Sequence, residues 1–193
     1  MTRLVVLVSG NGSNLQALLD AGLDVAAVVS NRADAYALER ARCATVPVVV
    51  VSALAGESRR DFDTRLADAV EAYRPERVVL AGWMRILSHS FLDRFTNRVI
   101  NLHPALPGEL PGLHAVERAH AEACSSGRTR SGVMVHLVPD EGVDTGPVLA
   151  SVEVPVFADD SLDEFAQRMH EAEHALLVHT LKNLTPSGEE PEA

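Results

Sequence analysis

The sequence lacks any apolar run near the roughly 20 residues that a membrane-spanning helix requires. Its first apolar stretch, residues 4–9, runs directly into Gly10 and Asn11 without a small-residue cleavage site. That pattern is typical of a first strand rather than of a signal peptide. We therefore expect no association with membranes.

Cysteine and basic residues are also scarce. Cys43 and Cys124 stand alone, without metal-ligand spacing such as CxxC, and predict free thiols in a reducing cytoplasm and no metal site. The 27 Asp and Glu residues outnumber the 17 Lys and Arg residues, and the net charge is −10. An acidic chain argues against general nucleic-acid binding, although a small anionic substrate needs only a local site.

What the chain does contain is a regular alternation of apolar runs and helical patterns. Its 193 residues, 47% of them apolar, fit one domain of ordinary size. Short β-branched runs without polar alternation are typical of strands covered on both faces, and strands that alternate with helices predict a parallel sheet. The predicted strands are 4–9, 25–30, 46–51, 77–82 and 98–103, and the predicted helices between them are 14–21, 37–43, 59–73 and 88–95.

The second part of the chain has a different pattern. A helical stretch at 114–124 precedes two runs typical of paired strands, and a long helix follows at 161–184. Ser161 as N-cap with Glu164 three residues later predicts a capping box. We predict an α/β fold: a Rossmann-like, mostly parallel twisted sheet flanked by helices, with antiparallel strands toward the C-terminus. The paired strands are 133–138 and 147–156, the single domain spans 1–185, and residues 186–193 form a disordered tail.

The Ser9–Asn14 loop, SGNGSN, joins the first strand to the first helix. Backbone N–H groups and a helix N-terminus can face an anion at such a loop, and glycines allow close approach. A dinucleotide site is disfavoured, because Leu15 replaces the third glycine of GxGxxG and Ser30-Asn31 replace the acidic residue after the second strand. A phosphate site is the favoured interpretation, and a tight turn that binds nothing is the alternative.

Two polar residues, Asn101 and His103, end an otherwise apolar strand. Strand alternation places them on the same side, at the carboxyl end, where parallel sheets carry their chemistry. The alternative is a core histidine beside a strand-end cap. A further polar segment, 139–147, contains Asp144 just before Gly146, which can help to fix its direction, whereas Asp140 and Glu141 also suit an ordinary solvated turn.

The ordered set of segments resembles the phosphoribosylglycinamide formyltransferases, folate-dependent enzymes of purine synthesis. The resemblance runs from about residue 3 to 181. It is carried by VVLVSGNGSNLQALLDA, VVSNRADAYALERAR, SRRDFD, VVLAGWMRILS, VINLHPAL, PGLHA, GVDTGPV and HEAEHALL.

The resemblance implies transfer of the formyl group of 10-formyltetrahydrofolate to the primary amine of phosphoribosylglycinamide. It implies that Asn101 and protonated His103 donate hydrogen bonds to the formyl oxygen and that Asp144 keeps His103 protonated. It further implies cytoplasmic activity of a monomer or homodimer on these two small molecules. The implied substrate-binding residues are Gly12, Ser13, Asn14, His170 and Glu173, and the implied folate-binding residues are Arg59, Met84, Arg85, Ile86, Leu87, Asn101, Asp140, Glu141, Gly142, Val143 and Asp144.

Some positions depart from the common pattern of that family. The His136–Asp144 spacing is one residue longer, and His170 stands where glutamine or lysine is common. Three other functions are weighed against the formyltransferase. A formyltetrahydrofolate hydrolase is expected to carry an extra N-terminal domain, and a formyltransferase for charged tRNA is expected to carry a C-terminal domain and a basic surface. A non-catalytic nucleotide-binding module would need the SGNGSN loop but not the three catalytic residues together.

Overall fold

The alternating apolar runs form strands and helices in the predicted order. The computed structural model describes residues 2–184. The strands are β1 Leu4–Val8, β2 Val25–Ser30, β3 Val48–Val50, β4 Arg77–Leu80, β5 Val99–His103, β6 Arg130–Leu137 and β7 Val148–Pro155. The helices are α1 Ser13–Asp20, α2 Ala37–Cys43, α3 Arg59–Glu71, α4 His89–Leu92, α5 Ala115–Ser126 and α6 Leu162–Asn183.

The seven strands lie in one mixed sheet with the order β3-β2-β1-β4-β5-β6-β7. Strands β1 to β5 pair in parallel, and β6 and β7 add antiparallel strands at one edge. The predicted fold class is therefore confirmed. The chain reverses direction across the sheet between β1 and β4, and open α/β sheets bind ligands in the crevice at such a point.

Helices cover both faces of the sheet. Alternate residues of β1 show this, because Leu4, Val6 and Val8 pack on the face covered by α1 and α6, whereas Val5 and Leu7 pack on the face covered by α3 and α4. All five side chains are fully buried. The prediction of strands covered on both faces is confirmed for the sheet centre.

Most predicted elements differ from the observed ones by no more than one or two residues at an end, and three differ more. Strand β3 is an edge strand of three residues instead of six, and it is half-exposed rather than covered on both faces. The predicted helix 88–95 is divided into α4 and a 3₁₀ turn, Asp93–Phe95. Strand β6 begins three residues earlier than predicted, at Arg130, because its pairing with β7 extends as far as Pro155.

The capping box of α6 is confirmed. The Ser161 hydroxyl accepts a hydrogen bond from the Glu164 backbone N–H at 3.3 Å, and the Ser161 N–H donates to the Glu164 carboxylate at 2.9 Å. Within residues 2–184 no helix is long and apolar enough to span a membrane, and both cysteines are exposed free thiols. The predicted tail, residues 186–193, lies outside the described residues.

Candidate active site

Loops from the carboxyl ends of β1, β4 and β5 meet at one edge of the sheet. Ser9 connects the first two, because its N–H donates to the Gly82 carbonyl at 3.0 Å and its hydroxyl accepts from the Met84 N–H at 3.0 Å. The same hydroxyl donates to Asn31 at 2.7 Å. The predicted phosphate loop, Ser9–Asn14, is therefore in direct contact with the predicted folate-binding residues 84–87, which we call the folate strip.

Asp144 lies at the centre of the polar cluster beside β5. Its Oδ1 accepts a hydrogen bond from Asn101 Nδ2 at 3.1 Å, and its Oδ2 accepts one from the Gly112 N–H at 2.8 Å. Nδ1 of His103 lies 3.3 Å from Oδ2 of Asp144. The structure therefore brings together the three residues that the sequence analysis assigned to catalysis.

The backbone around Asp144 fixes the direction of its carboxylate. Asp144 has a φ of +55°, which aspartate tolerates better than most residues do. The loop closes at Gly146, where a Cβ atom would lie 1.9 Å from the Leu137 carbonyl oxygen. Only glycine allows this approach, so the loop is held against the end of β6 despite the extra residue between His136 and Asp144.

His136 belongs to the same cluster and was missed by the sequence analysis. It is 2% exposed, stands opposite Asn101 in the β5–β6 register, and places its Nε2 3.1 Å from Asn101 Nδ2. Its Nδ1 lies 2.8 Å from the Leu137 carbonyl oxygen, so the Nδ1 proton is donated there and Nε2 accepts from Asn101. A lone histidine inside the apolar run 133–138 was the available signal.

The amide of Asn101 has no free N–H in this arrangement. One hydrogen of Nδ2 points to Asp144 Oδ1 and the other to His136 Nε2, each at 3.1 Å. Because a carboxylate only accepts hydrogen bonds, the amide nitrogen, not the oxygen, must face Asp144. A substrate oxygen that receives a hydrogen bond from Asn101 has to replace one of these two acceptors.

Opposing effects act on the protonation of His103. Burial lowers the pKa of His103 below its ordinary value of 6.5, and the Asp144 charge and the Leu110 carbonyl, 3.0 Å from Nε2, raise it by less. Both ring nitrogens nevertheless face acceptors, Asp144 Oδ2 at 3.3 Å and the Leu110 carbonyl oxygen at 3.0 Å, and only the protonated ring donates to both. That Asp144 keeps His103 protonated stays a prediction. Burial also disfavours the charged form of Asp144, but the nearby ring of His136, whose Nε2 lies 3.5 Å from Oδ1, and the hydrogen bond from the Gly112 N–H outweigh this and lower the pKa of Asp144.

The predicted phosphate loop precedes α1 and contacts α6. Gly12 is the N-cap of α1 with a φ of +78°, and a Cβ atom there would lie 2.5 Å from Cβ of Ala37, so glycine is required. The first N–H groups of a helix have no intrahelical acceptor and can receive an anion. Asn14 Nδ2 donates to the Glu173 carboxylate at 3.2 Å, which joins the two predicted substrate segments.

Glu173 is 7% exposed, and burial raises the pKa of its carboxyl group. The hydrogen bond from Asn14 and the charge of the exposed His170 lower that pKa by less. The structure therefore places Asn14, His170 and Glu173 near one another, with His170 at the surface.

The predicted folate strip has a mixed orientation. The side chains of Met84 and Ile86 are 61% and 47% exposed, whereas Leu87 is buried in the core and can offer only its backbone to a ligand. The Arg85 guanidinium lies 4.3 Å from the centroid of the Phe62 ring. The strip ends at Ser88, whose N–H donates to the fully buried Asp63 at 2.6 Å. Asp63, on α3, therefore fixes the end of the folate strip by a hydrogen bond, a role that no local sequence pattern indicates.

The remaining predicted folate residues lie on the 140–144 loop and at the start of α3. Arg59 forms an ion pair with Glu141, and the other oxygen of Glu141 accepts the His89 N–H at 3.2 Å. Asp140 accepts the Gly142 N–H at 2.8 Å within the loop, and Val143 is 38% exposed. Arg59 and Glu141 thus bind each other in this structure and anchor the Asp144 loop to α3 and α4.

Two observations concern other ligands. An open depression of about 1070 Å³ lies at the opposite end of the sheet, where Thr2, Pro75 and Arg98 line it, and none of the predicted site residues does. In the described part of the chain, no group of three or more histidine, cysteine or acidic side chains could hold a metal ion. The metal-free reaction remains a prediction.

Comparisons with known proteins bear on the family of this chain. A sequence profile of the formyl transferase family matches residues 2–181. The chain belongs to this family.

Other members of the family are similar to this formyl transferase over nearly its whole length. The phosphoribosylglycinamide formyltransferase of Escherichia coli K12 is 45% identical over 179 residues, which are 90% of this chain and 82% of that protein. The enzyme of the same name from Mycobacterium tuberculosis CDC 1551 is 42% identical and covers 96% of this chain and 86% of its own. The crystal structure of phosphoribosylglycinamide formyltransferase from Streptococcus pneumoniae TIGR4 superposes with a TM-score of 0.87 at 39% identity, over 94% of this chain and 98% of that one.

Proposed function

We propose that this formyl transferase moves the formyl group of 10-formyltetrahydrofolate to the amine of 5-phosphoribosylglycinamide and gives formylglycinamide ribonucleotide. The observation that carries the proposal is the buried contact of Asp144 with Asn101 and His103, at 3.1 and 3.3 Å. It lies at the strand ends beside a loop suited to a phosphate. The names of the relatives support the same reaction.

The spacing of the two sites suits the amine substrate. The phosphate loop follows β1 and the catalytic cluster ends β5, with β4 between them. Two strand spacings place the sites about 10 Å apart, which is the scale of a phosphorylated sugar with a short amine arm. Gly12, Ser13 and Asn14 hold the phosphate, His170 adds a contact at its rim, and Glu173 accepts hydrogen bonds from the ribose hydroxyls.

The reaction proceeds by direct attack. The amine nitrogen forms a bond to the formyl carbon and loses a proton, the formyl oxygen gains negative charge, and the carbon–nitrogen bond to the folate then breaks as the leaving nitrogen takes up a proton. Preorganised donors at the oxygen contribute about 2.7–4 kcal/mol each. Asn101 donates an amide N–H, and His103 donates an N–H or accepts the proton that the amine releases.

The environment of His103 suits a proton carrier. Because burial lowers its pKa below 6.5, the ring is available as a base at neutral pH. Charge that develops on the formyl oxygen favours the protonated ring, and Asp144 stabilises the imidazolium from the other side. The protonated form of His103 is therefore favoured most in the tetrahedral intermediate.

The folate co-substrate lies on the other side of the cluster. The exposed apolar side chains of Met84, Ile86 and Val143 cover the flat pterin ring, and the backbone of Leu87 and of the 140–144 loop supplies hydrogen bonds. Arg59 and Arg85 add positive charge near the carboxylates of the folate tail. We place the reaction in the cytoplasm, carried out without a metal by a monomer or homodimer, and without a nucleic-acid or membrane partner.

An assay for formylation of phosphoribosylglycinamide by 10-formyltetrahydrofolate tests the proposal. We expect turnover in the wild type, and a loss of about 10²-fold or more in kcat for His103→Ala and for Asp144→Asn. The exposed Asp159→Asn variant is the control for removal of one carboxylate. Near-full activity in either catalytic variant would contradict the mechanism.

Two other outcomes would favour the alternative functions. Tight NAD binding without phosphoribosylglycinamide binding would favour the nucleotide-binding module, and release of formate without an amine would favour the hydrolase.

A further inference from the structure

One side chain on α2 forms hydrogen bonds to the phosphate loop, and the proposed function leaves this side chain without a role. Arg40, on α2, donates from Nε to the Asn11 backbone carbonyl at 2.9 Å and from one terminal nitrogen to Asn11 Oδ1 at 2.9 Å. Its other terminal nitrogen donates to Gln16 Oε1, in α1, at 3.2 Å. Arg40 therefore connects the phosphate loop, at Asn11, to the first turn of α1, at Gln16.

The contact with Asn11 fixes a peptide plane. In a planar trans peptide, the carbonyl of Asn11 and the N–H of Gly12 point in opposite directions. Since Arg40 binds the carbonyl, the Gly12 N–H is turned away from α2. A second contact fixes the preceding residue, because the Gly10 carbonyl accepts the Ala37 N–H at 3.1 Å.

Only arginine has the shape for this arrangement. Its planar guanidinium presents several N–H groups in a rigid fork, whereas the ammonium of lysine is a single point charge. Arg40 is half-buried and stacks on the Tyr36 ring at 4.9 Å from the centroid, which limits its motion. Its charge also reaches α6, where it contributes to a lowered pKa of His174, after burial and the charge of His170.

We propose that Arg40 is a positioning residue that makes the Gly12–Asn14 loop specific for a phosphate monoester. It holds the loop N–H groups in one arrangement and adds a fixed positive charge behind them, in a chain whose net charge is −10. The inference rests on the proposed function for the identity of the phosphorylated substrate. It extends that function by naming the side chain on which recognition of the phosphate depends.

The decisive variant is Arg40→Met, which keeps the apolar stem and removes the guanidinium. Its matched control is Arg42→Met on the same helix, since Arg42 pairs with Glu39 and does not contact the loop. We expect the KM for phosphoribosylglycinamide to rise about tenfold or more in Arg40→Met, as when one charge-assisted contact is lost. Its kcat and its KM for the folate stay near those of the control, which also shows that the variant is folded.

Two further arms separate phosphate recognition from a general structural effect. Glycinamide riboside, which lacks the phosphate, is expected to react with equal kcat/KM in the wild type and in Arg40→Met. Arg40→Lys keeps the charge without the fork, and we expect a raised KM there as well. A wild-type KM in Arg40→Lys, an equal loss of activity toward the riboside, or a fall in kcat at unchanged KM would each overturn the proposal.

Binding of ribose 5-phosphate, measured by titration calorimetry, tests the inference apart from the reaction. We expect about tenfold weaker binding in Arg40→Met than in Arg42→Met. If the wild type binds this probe in an Arg40-dependent way but forms no formylated product, the proposed function fails and the role of Arg40 stands. If the enzyme is active and both Arg40→Met and Arg42→Met bind ribose 5-phosphate as tightly as the wild type does, the proposed role of Arg40 is wrong.

Discussion

At the residue scale, the Asp144 carboxylate holds together groups that are far apart in the sequence, Asn101 Nδ2 at 3.1 Å and the Gly112 N–H at 2.8 Å. Asn101 and His103 were predictable because a spacing of two residues in a strand puts their side chains on one face. The contact with Asp144 came only from the resemblance to a family. His136 and Arg40 were missed, since the first depends on the β5–β6 register and the second on the packing of α2 against the loop.

A first prediction at the residue scale concerns His136. Replacement by Phe keeps the ring volume but removes the acceptor for one hydrogen of Asn101, so the amide loses its fixed direction. We expect kcat to fall about tenfold or more while the protein remains folded. Steady-state rates of His136→Phe, Asn101→Ala and the double variant measure the coupling. We expect the kcat of the double variant to equal that of Asn101→Ala. If the fold-losses in kcat of the two single variants instead multiply in the double variant, His136 does not act through Asn101.

A second prediction concerns the pH dependence of stability. The folded-state pKa of His103 is lowered by burial, so the unfolded chain binds a proton more readily. The stability gained from the neutral ring is fully present above the ordinary pKa of 6.5 and is lost as the pH falls through the lowered value. Glu173 acts in the opposite sense, because its raised pKa contributes stability below the ordinary value of 4.5 that is lost as the pH rises through the folded value.

Urea unfolding of the wild type and of His103→Asn between about pH 7.5 and about pH 5 isolates the contribution of His103, because Asp144 stays ionised there and the contribution of Glu173 is common to both proteins. We expect the wild type to lose more free energy of unfolding over this interval than His103→Asn does. The exposed His89→Asn variant is the control for the removal of one histidine. An equal slope in wild type and His103→Asn would contradict the lowered pKa.

At the scale of elements, local patterns predicted helices better than strand ends. The ends of α2 and the capping box of α6 are set by residues close in sequence, and both were predicted correctly. The ends of β3 and β6 depend on how far a neighbouring strand extends, which no window of the sequence contains. The helix predicted at 88–95 is divided after Leu92, a break that the apolar spacing does not signal.

The capping box gives a prediction at this scale. Ser161→Ala removes the acceptor for the Glu164 N–H, and we expect the free energy of unfolding to fall by about 1 kcal/mol. Ser126→Ala is the matched control, because its hydroxyl donates to the Glu122 carbonyl at the exposed end of α5. Denaturant unfolding of both variants measures the difference. A loss no larger than that of the control would show that the capping box does not stabilise α6.

At the scale of the whole molecule, the fold class was predictable because it follows from element order. Alternating strands and helices require a parallel sheet, and two adjacent strands without a helix between them add antiparallel strands. The position of the site at the crossover between β1 and β4 follows from the same topology. The opposite end of the sheet has an open depression of about 1070 Å³ that none of the predicted site residues line, so a depression in the surface does not by itself locate the site.

Truncation tests whether the domain is contained in residues 1–185. The described core and all predicted site residues lie within 2–184. We therefore expect removal of 186–193 to change the Tm by no more than about 2 °C and to leave kcat and both KM values unchanged. Thermal unfolding and the formylation assay check this. A shorter variant that also removes Leu181, which is buried in the core, is expected to unfold at lower temperature.

The approach of Gly12 to Ala37 restricts how the sequence can vary. A methyl group at position 12 would lie within 2.9 Å of the Cα atom of residue 37, so no change of side chain there can make room for it. Among homologous sequences, glycine at position 12 should persist even where position 37 varies, and a larger residue at 37 should be rare because it would fill the space beside the glycine. Position 12, which lies 25 positions before position 37 in the chain, is therefore expected to be the less variable of the two.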